Sequence, residues 1–356
     1  MVSYPWRHHP RRETEVLLAL KLSTKFPLAT LFFKHWSVDD REVGVVVAKA
    51  RIRRGDDDKW RAEPEPSLAT EDVFSGDPAL SSLATEQEVA PGKVGTDLII
   101  RATARCPDRT PASEWPVSVS IPDRLFYSFQ VQGPSVWKRD RLRGWRRTTP
   151  ELVSEVPLTY EMAFGGASPG PDGTTLVHDE NPAGMGFATR ERLATGEDFA
   201  APQIGLLAEF MGGDPLAEMT VCGLGPIAKS WPPRRSEAGT FDAAWQKTRH
   251  PRMPSDYSLA FWNAAPTALQ LDPPLVGNEE IIVDGIAHDG PVTTVLPGVT
   301  CAVLLADGAR IALTLDTVAL DLSDPDPAQH TADLVWRNTV EEPERFQVAE
   351  VIGERV

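Results

Sequence analysis

The stretch CGLGPIA (222–228) matches G-x-G-x-x-A, the relaxed fingerprint of a dinucleotide-binding turn. Its chemistry needs a helix whose N-terminus receives a pyrophosphate. Pro232 and Pro233 follow within a turn of Ala228, so a plain glycine turn is expected instead. The histidines are His8, His9, His35, His178, His250, His288 and His330, and none stands three to five residues from a second His or a Cys. Metal-ligand spacing is therefore missing. His178-Asp179 and His288-Asp289 are lone pairs in Gly-rich surroundings and read as surface turns. An acid–base site in the middle of the chain would need Glu161, His178 and Asp179 to converge. GGASPG (165–170) places Ser168 before Pro169 and Gly170, a turn rather than a nucleophile elbow. No catalytic residue, metal site, cofactor or small-molecule substrate is expected, and the chain does not read as an enzyme.

One basic island stands out. WKRDRLRGWRR (137–147) combines Lys138, Arg139, Arg141, Arg143, Arg146 and Arg147 with Trp137 and Trp145. That mixture suits a nucleic-acid platform. The whole chain nevertheless carries a net charge of −15, which repels nucleic acid and anionic lipid over most of its surface. The expectation is an exposed hairpin paired with the protein's own carboxylates, with docking of an acidic partner as the second reading.

The elements that would position these residues are mostly strands. EVLLALKL (15–22), VGVVVAKARI (43–52), DLIIRATAR (97–105), WPVSVSI (115–121), RLFYSFQV (124–131), EEIIVDGI (279–286), CAVLLA (301–306), ARIALTLDTVAL (309–320), ADLVWRN (332–338) and RFQVAEV (345–351) are short and rich in Val, Ile, Leu or aromatics. ADGA (306–309) predicts a hairpin turn on Asp307-Gly308. Helix is predicted for PALSSLATEQEVA (78–90) and for FDAAWQKTR (241–249), the second capped by Asp242 and stopped by Pro251. PSLATED (66–72) and SSLATEQ (81–87) look alike, but a shared tetrapeptide is not a repeat.

Strands and helices do not alternate, so the fold class is mainly β: antiparallel sheets, sandwich or barrel-like, with few short helices. Residues 158–278 form a long Gly-, Pro- and Trp-rich loop segment whose aromatic content argues for order. The 32 prolines are roughly twice the usual share of about 5% and are spread over the chain, as many turns require. Residues 1–12 read as a basic tail, and 13–352 as one compact domain or two packed β modules.

Cys106, Cys222 and Cys301 are odd in number and far apart, which suits a reducing compartment. The apolar run Val16–Leu20 is too short for a signal peptide and no stretch approaches a membrane span, so a cytoplasmic address is expected.

The middle of the chain also carries an ordered set of motifs. PLTYEMAFGG (157–166), ENPAGMGF (180–187) and GLGPIAKSWPPRRSEAGTFDAAWQKTRHPRMPSDYSLAFWNAAP (223–266) follow one another. DDREVGVVVAKA (39–50) and VAPGKVGTDLIIRATARCP (89–107) precede them, and LDTVALDLSD with ADLVWRN closes the series. Together they resemble a bacterial domain-of-unknown-function family of type VI secretion adaptors, over roughly residues 15–340. The family's usual Asp-Gln after its Asn-x-Ala-Pro element is reduced here to Gln270, and GPSVWKRD (133–140) replaces its Gly-Asp-Arg turn.

The resemblance implies a cytoplasmic adaptor or chaperone. Such a protein binds a toxic effector and helps load it onto a VgrG or PAAR spike protein, with no nucleic-acid, membrane or small-molecule partner. An immunity protein that neutralises a toxin, or an enzyme built on 158–278, are the alternatives. Candidates for loop ordering or partner binding are Phe164, Gly165, Gly166, Asn181, Trp231, Trp245, Trp262, Arg143 and Trp145. Trp245 and Trp262 are expected in the core rather than at an interface.

Overall fold

The computed structural model describes residues 21–22, 27–55, 57, 59–305, 308–341 and 349–355. The expected basic tail, most of the first strand and Asp307 lie outside the described residues.

Alternating apolar residues build the sheets. The largest has seven strands in the order Ala29–Trp36, Glu42–Arg54, Thr331–Val340, Thr314–Asp321, Thr96–Arg101 and Gln270–Leu271, with Trp60–Ala62 paired to Glu42–Arg54. All its pairings are antiparallel except that of Thr314–Asp321 with Thr96–Arg101. A five-stranded sheet runs Ile204–Gly205, Leu125–Gln132, Glu114–Ile121, Glu280–Asp284 and Val292–Val295. A four-stranded sheet holds Val299–Leu305 between Ala349–Arg355 and Arg310–Ala312. Each of these sheets has two ends, and among the described residues none closes into a barrel. The hydrophobic core draws on all three: Ala48, Ile52, Leu98 and Trp336 meet Val117, Val119 and Ile281, with Cys301 and Val303 beside them. The fold is thus mainly β with several antiparallel sheets, as the many short apolar runs and few helical stretches predict.

Period two sends Val46, Ala48, Ala50 and Ile52 inward and Lys49, Arg51 and Arg53 to the opposite face of the seven-stranded sheet. Register aligns that second face in rows. Lys49, Val335, Thr317 and Asp97 form one, Arg51, Asp333, Ala319 and Ile99 the next, and Arg53, Thr331, Asp321 and Arg101 the third. A bulge between Leu315 and Thr317 interrupts the register beside the buried Asp316–Arg337 ion pair.

The expected helix over 78–90 does not form. Residues 78–80 are a turn, with the Asp77 carboxylate accepting from the Ala79 amide, and Leu83–Thr85 pairs as a strand with Val73–Phe74. Its two glutamates are drawn inward: Glu86 by Lys93 and Arg234, Glu88 by Lys49. Local helix propensity yields to those tertiary ion pairs. The second helix does form, over Ala243–Thr248, and Asp242 caps it by accepting from the Trp245 amide at 2.8 Å. The strand Ala29–Trp36 and the one-turn helices Arg190–Thr195, Leu207–Phe210 and Pro232–Arg235 add to the predicted elements. Pro232 and Pro233 start the last of these rather than only blocking a helix, because the first turn needs no amide donors.

Candidate partner-binding surfaces

The loop segment is ordered from within. Phe164–Gly165 pairs in parallel with Met185–Gly186, and Asn181 sits fully buried between them and Tyr160. Its side-chain amide donates to the Tyr160 carbonyl at 2.8 Å and to the Phe164 carbonyl at 2.9 Å. Gly165 has φ +145°, and a Cβ there would lie 2.2 Å from the Asn181 carbonyl oxygen. Gly166 has φ +90°, with the Gly184 oxygen 2.1 Å from its would-be Cβ. Only glycine fits this close approach. The Phe164 ring meets His178 edge-on at 5.1 Å, and Trp231 meets Tyr160 at 5.4 Å. Phe164, Gly165, Gly166, Asn181 and Trp231 are all buried in these internal contacts.

A buried polar junction ties this segment to the large sheet. Lys93 lies 2.9 Å from Glu86 and 2.8 Å from Asp97, and Arg234 lies 2.7 Å from Glu86. Asn263 donates to Asp97 at 2.9 Å, and the Ala264 amide donates to the same carboxylate at 2.7 Å. Burial alone would raise the Glu86 carboxyl, but Lys93, Arg234 and Lys229 outweigh it and hold it below the usual range. Burial works against the Lys93 ammonium too, and Asp97 and Glu86 overcome it and raise it. Both shifts favour the charged pair. On the outer side of the junction a cavity of about 270 Å³ opens over Thr317 and Ala319, lined by Lys49, Arg51, Glu88 and Asp333. PSLATED and SSLATEQ meet beside it: the Gln87 amide donates to Asp72 at 2.8 Å, and the amide of Glu88, the next residue, to the Ala69 carbonyl at 2.7 Å.

Glu86, Lys93 and Asp97 lie close in sequence, but Arg234, Asn263 and Ala264, which complete the junction, lie more than a hundred residues away, so the sequence alone does not bring the junction together. Its local trace was the otherwise unexplained Lys93 and Arg234 inside recognisable motif blocks.

Neither Trp245 nor Trp262 enters the hydrophobic core, contrary to expectation; both are half-buried. Trp262 donates its indole N–H to the Tyr257 hydroxyl, packs edge-on against Phe261 at 5.4 Å, and has the Lys229 ammonium 5.3 Å from its ring. Trp245 stands on a short exposed helix. Phe241 at 4.8 Å and His250 at 5.2 Å flank it edge-on, and its indole N–H donates to the Arg252 carbonyl at 2.9 Å. Arg252 in turn covers Trp36 at 5.1 Å and pairs with Asp40 at 3.1 Å. Trp36 stays 49% exposed and Phe241 44%, leaving an aromatic surface beside the turn at 37–41.

The basic island is a hairpin, Val136–Asp140 with Gly144–Arg147. A third strand, Phe199–Ala200, pairs only with Val136 and Trp137. Trp137 stacks on Phe199 at 6.5 Å and Trp145 tilts against it at 5.6 Å, clamping the base. Arg147 also belongs to the base: it donates to Ser135 and to the Pro202 carbonyl, and lies over Phe210. At the tip the Asp140 carboxylate accepts from the Leu142 and Arg143 amides, both at 2.8 Å, which hold its pKa down. Arg143 is exposed, and Leu142 is 96% exposed. The expected pairing with the protein's own carboxylates holds for Lys138, 3.6 Å from Asp198. Among the described residues no carboxylate lies within ion-pair distance of Arg139, Arg141 or Arg143.

Glu161, His178 and Asp179 are not drawn into one site. Glu161 accepts from the Ser82 amide and hydroxyl, His178 bonds Glu218 at 2.6 Å and accepts from the Asn181 amide, and Asp179 is exposed. His288 is turned by its 2.7 Å contact with the Cys106 carbonyl. Cys106, Cys222 and Cys301 are buried free thiols. Among the described residues no helix is long and apolar enough to cross a membrane.

Residues 39–337 match the family described as "Uncharacterized protein conserved in bacteria (DUF2169)". No curated protein and no solved structure matches the chain.

Proposed function

The chain belongs to the bacterial DUF2169 family, and on that premise we propose that it is a cytoplasmic adaptor of type VI secretion. It binds a toxic effector and helps load it onto a VgrG or PAAR spike protein, without catalysis of its own. The observation that carries this reading is the division of labour in the loops. Asn181, Gly165 and Trp231 spend their side chains and close contacts on holding 158–278 in shape, while Trp36, Phe241 and the hairpin tip Arg141–Arg143 are left outside. Rigid loops with aromatic and arginine side chains at the surface suit protein recognition. The pathway is what the resemblance of the motif series implies.

The test is co-purification of the full chain with the effector and spike proteins encoded beside its gene. Recovery of a stable complex with either supports the reading, and recovery of neither overturns it. The net charge of −15 also favours a second reading, an immunity protein that binds a basic toxin. Protection of cells from the neighbouring toxin when the toxin is expressed internally, with no secretion involved, would select that reading over the adaptor.

A further inference from the structure

We propose that the hairpin Val136–Arg147 is a docking arm for an acidic protein surface, with Arg139, Arg141 and Arg143 supplying charge and Leu142 an apolar tip. Trp137–Arg147 holds six cations and Asp140, a net of +5; removing that from the chain's −15 leaves −20 for the rest. The charge is concentrated on a hairpin whose tip, Arg141–Arg143, is exposed. The third strand ends at the level of Trp137, so the ladder of Lys138–Asp140 with Gly144–Arg146 extends beyond it, roughly 10 Å at strand rise. Lys138 stands directly opposite Arg146 in the ladder, a like-charge pair that works against the hairpin on its own. The arm keeps its shape because Trp137, Trp145 and Phe199 clamp its base and Asp140 and Gly144, at φ +75°, shape its tip. Its arginines meet a partner already positioned, and electrostatic attraction of this kind speeds encounter and fixes register.

The body of the molecule decides which anion is taken. A nucleic acid carries charge continuously along its length, so it would run off an arm of roughly 10 Å onto the acidic remainder. A compact acidic patch on a protein avoids that repulsion. Leu142, almost wholly exposed between Arg141 and Arg143, points the same way, because it fits an apolar depression and gains nothing from phosphate. For the partner's identity the inference rests on the adaptor reading; for its chemistry it does not.

The test titrates the isotope-labelled full chain with polyglutamate, a random Glu–Tyr copolymer, single-stranded DNA and anionic vesicles. Salt is set at about 0.1 M and about 1 M, where the screening length falls from about 10 Å to about 3 Å. Amide shifts confined to 138–146 are expected with both polypeptides, larger with the copolymer, and lost at high salt. The triple variant R139Q/R141Q/R143Q should weaken binding at least about tenfold, and L142A should remove the copolymer's advantage. Absence of shifts in 138–146, or tighter binding of DNA or vesicles than of the polypeptides, overturns the proposal. Co-purification separates it from the adaptor reading. If the wild type recovers effector or spike and the triple variant recovers them equally well, the docking arm is wrong and the adaptor stands.

Discussion

Two regions concentrate lysine and arginine, and they treat them in opposite ways. Around Glu86 the cations Lys93, Arg234 and Lys229 are withdrawn from water and matched to carboxylates. Along 138–146 the cations are held in water, and Arg139, Arg141 and Arg143 are left without ion-pair partners among the described residues. Composition does not distinguish these uses; placement relative to carboxylates does. A buried pair adds little net stability but is costly to break, since removing one member strands the other. An exposed cation can be removed almost freely. The first region should therefore govern folding and the second recognition.

The largest effect tests that division directly. Lys93→Ala leaves Glu86 and Asp97 facing each other without their shared ammonium and should cost about 3–5 kcal/mol, read from the urea midpoint. R141A/R143A should stay within about 0.5 kcal/mol of wild type. Equal losses would erase the distinction.

The glycines offer a second contrast. Gly165→Ala drives a Cβ against the Asn181 carbonyl at positive φ, where the only relief is backbone movement. We expect a loss of about 3 kcal/mol or more, from strain together with the hydrogen bonds that Asn181 makes. Gly144→Ala, at φ +75° with nothing within 4 Å of its Cβ, should cost only about 1 kcal/mol. Thermal melts of the two variants measure both.

That contrast also marks how far the sequence could be read. Runs rich in Val, Ile, Leu and aromatics mark most of the strands, because side chains that fill a pleated, buried face give a local signal. The glycines and aromatics of AFGG and NPAGMGF announced an ordered loop segment for a similarly local reason. The junction was hidden because Glu86 meets Arg234 across 148 residues, a separation that no window spans. Distant ion pairs also explain why no helix forms at 78–90, where Glu86 and Glu88, which resemble a solvated helix face, are paired inside with Arg234 and Lys49. Trp245 and Trp262 were misplaced because an indole can be half-covered by a neighbouring loop as well as buried in a core.

Acid should sharpen the comparison next. The folded Glu86 carboxyl lies below its ordinary value of 4.5, so its stabilisation is fully present above that pH and is lost as pH falls through the depressed value. Glu86→Gln should thus be less stable than wild type near neutrality, and the gap should narrow as pH drops below about 4.5. Glu88 and Asp316, which burial raises, contribute with the opposite sign and are unchanged in the variant, so the difference between the two proteins isolates Glu86. Urea midpoints at about pH 7 and about pH 3 give the two gaps, and a gap that widens toward acid would contradict the assignment.

The smallest effect is the most pointed. Lys138 and Arg146 face each other across the hairpin ladder, where like charges destabilise and opposite charges contribute roughly 0.2–1 kcal/mol relative to an alanine pair. Arg146→Glu should therefore leave the protein as stable as wild type or slightly more so, while weakening its hold on polyglutamate. A substitution that improves the fold and harms binding would show that the repulsion belongs to recognition rather than to architecture. If Arg146→Glu instead lowers the melting temperature and leaves polyglutamate binding intact, the hairpin's charge serves the fold, and the contrast with the buried junction collapses.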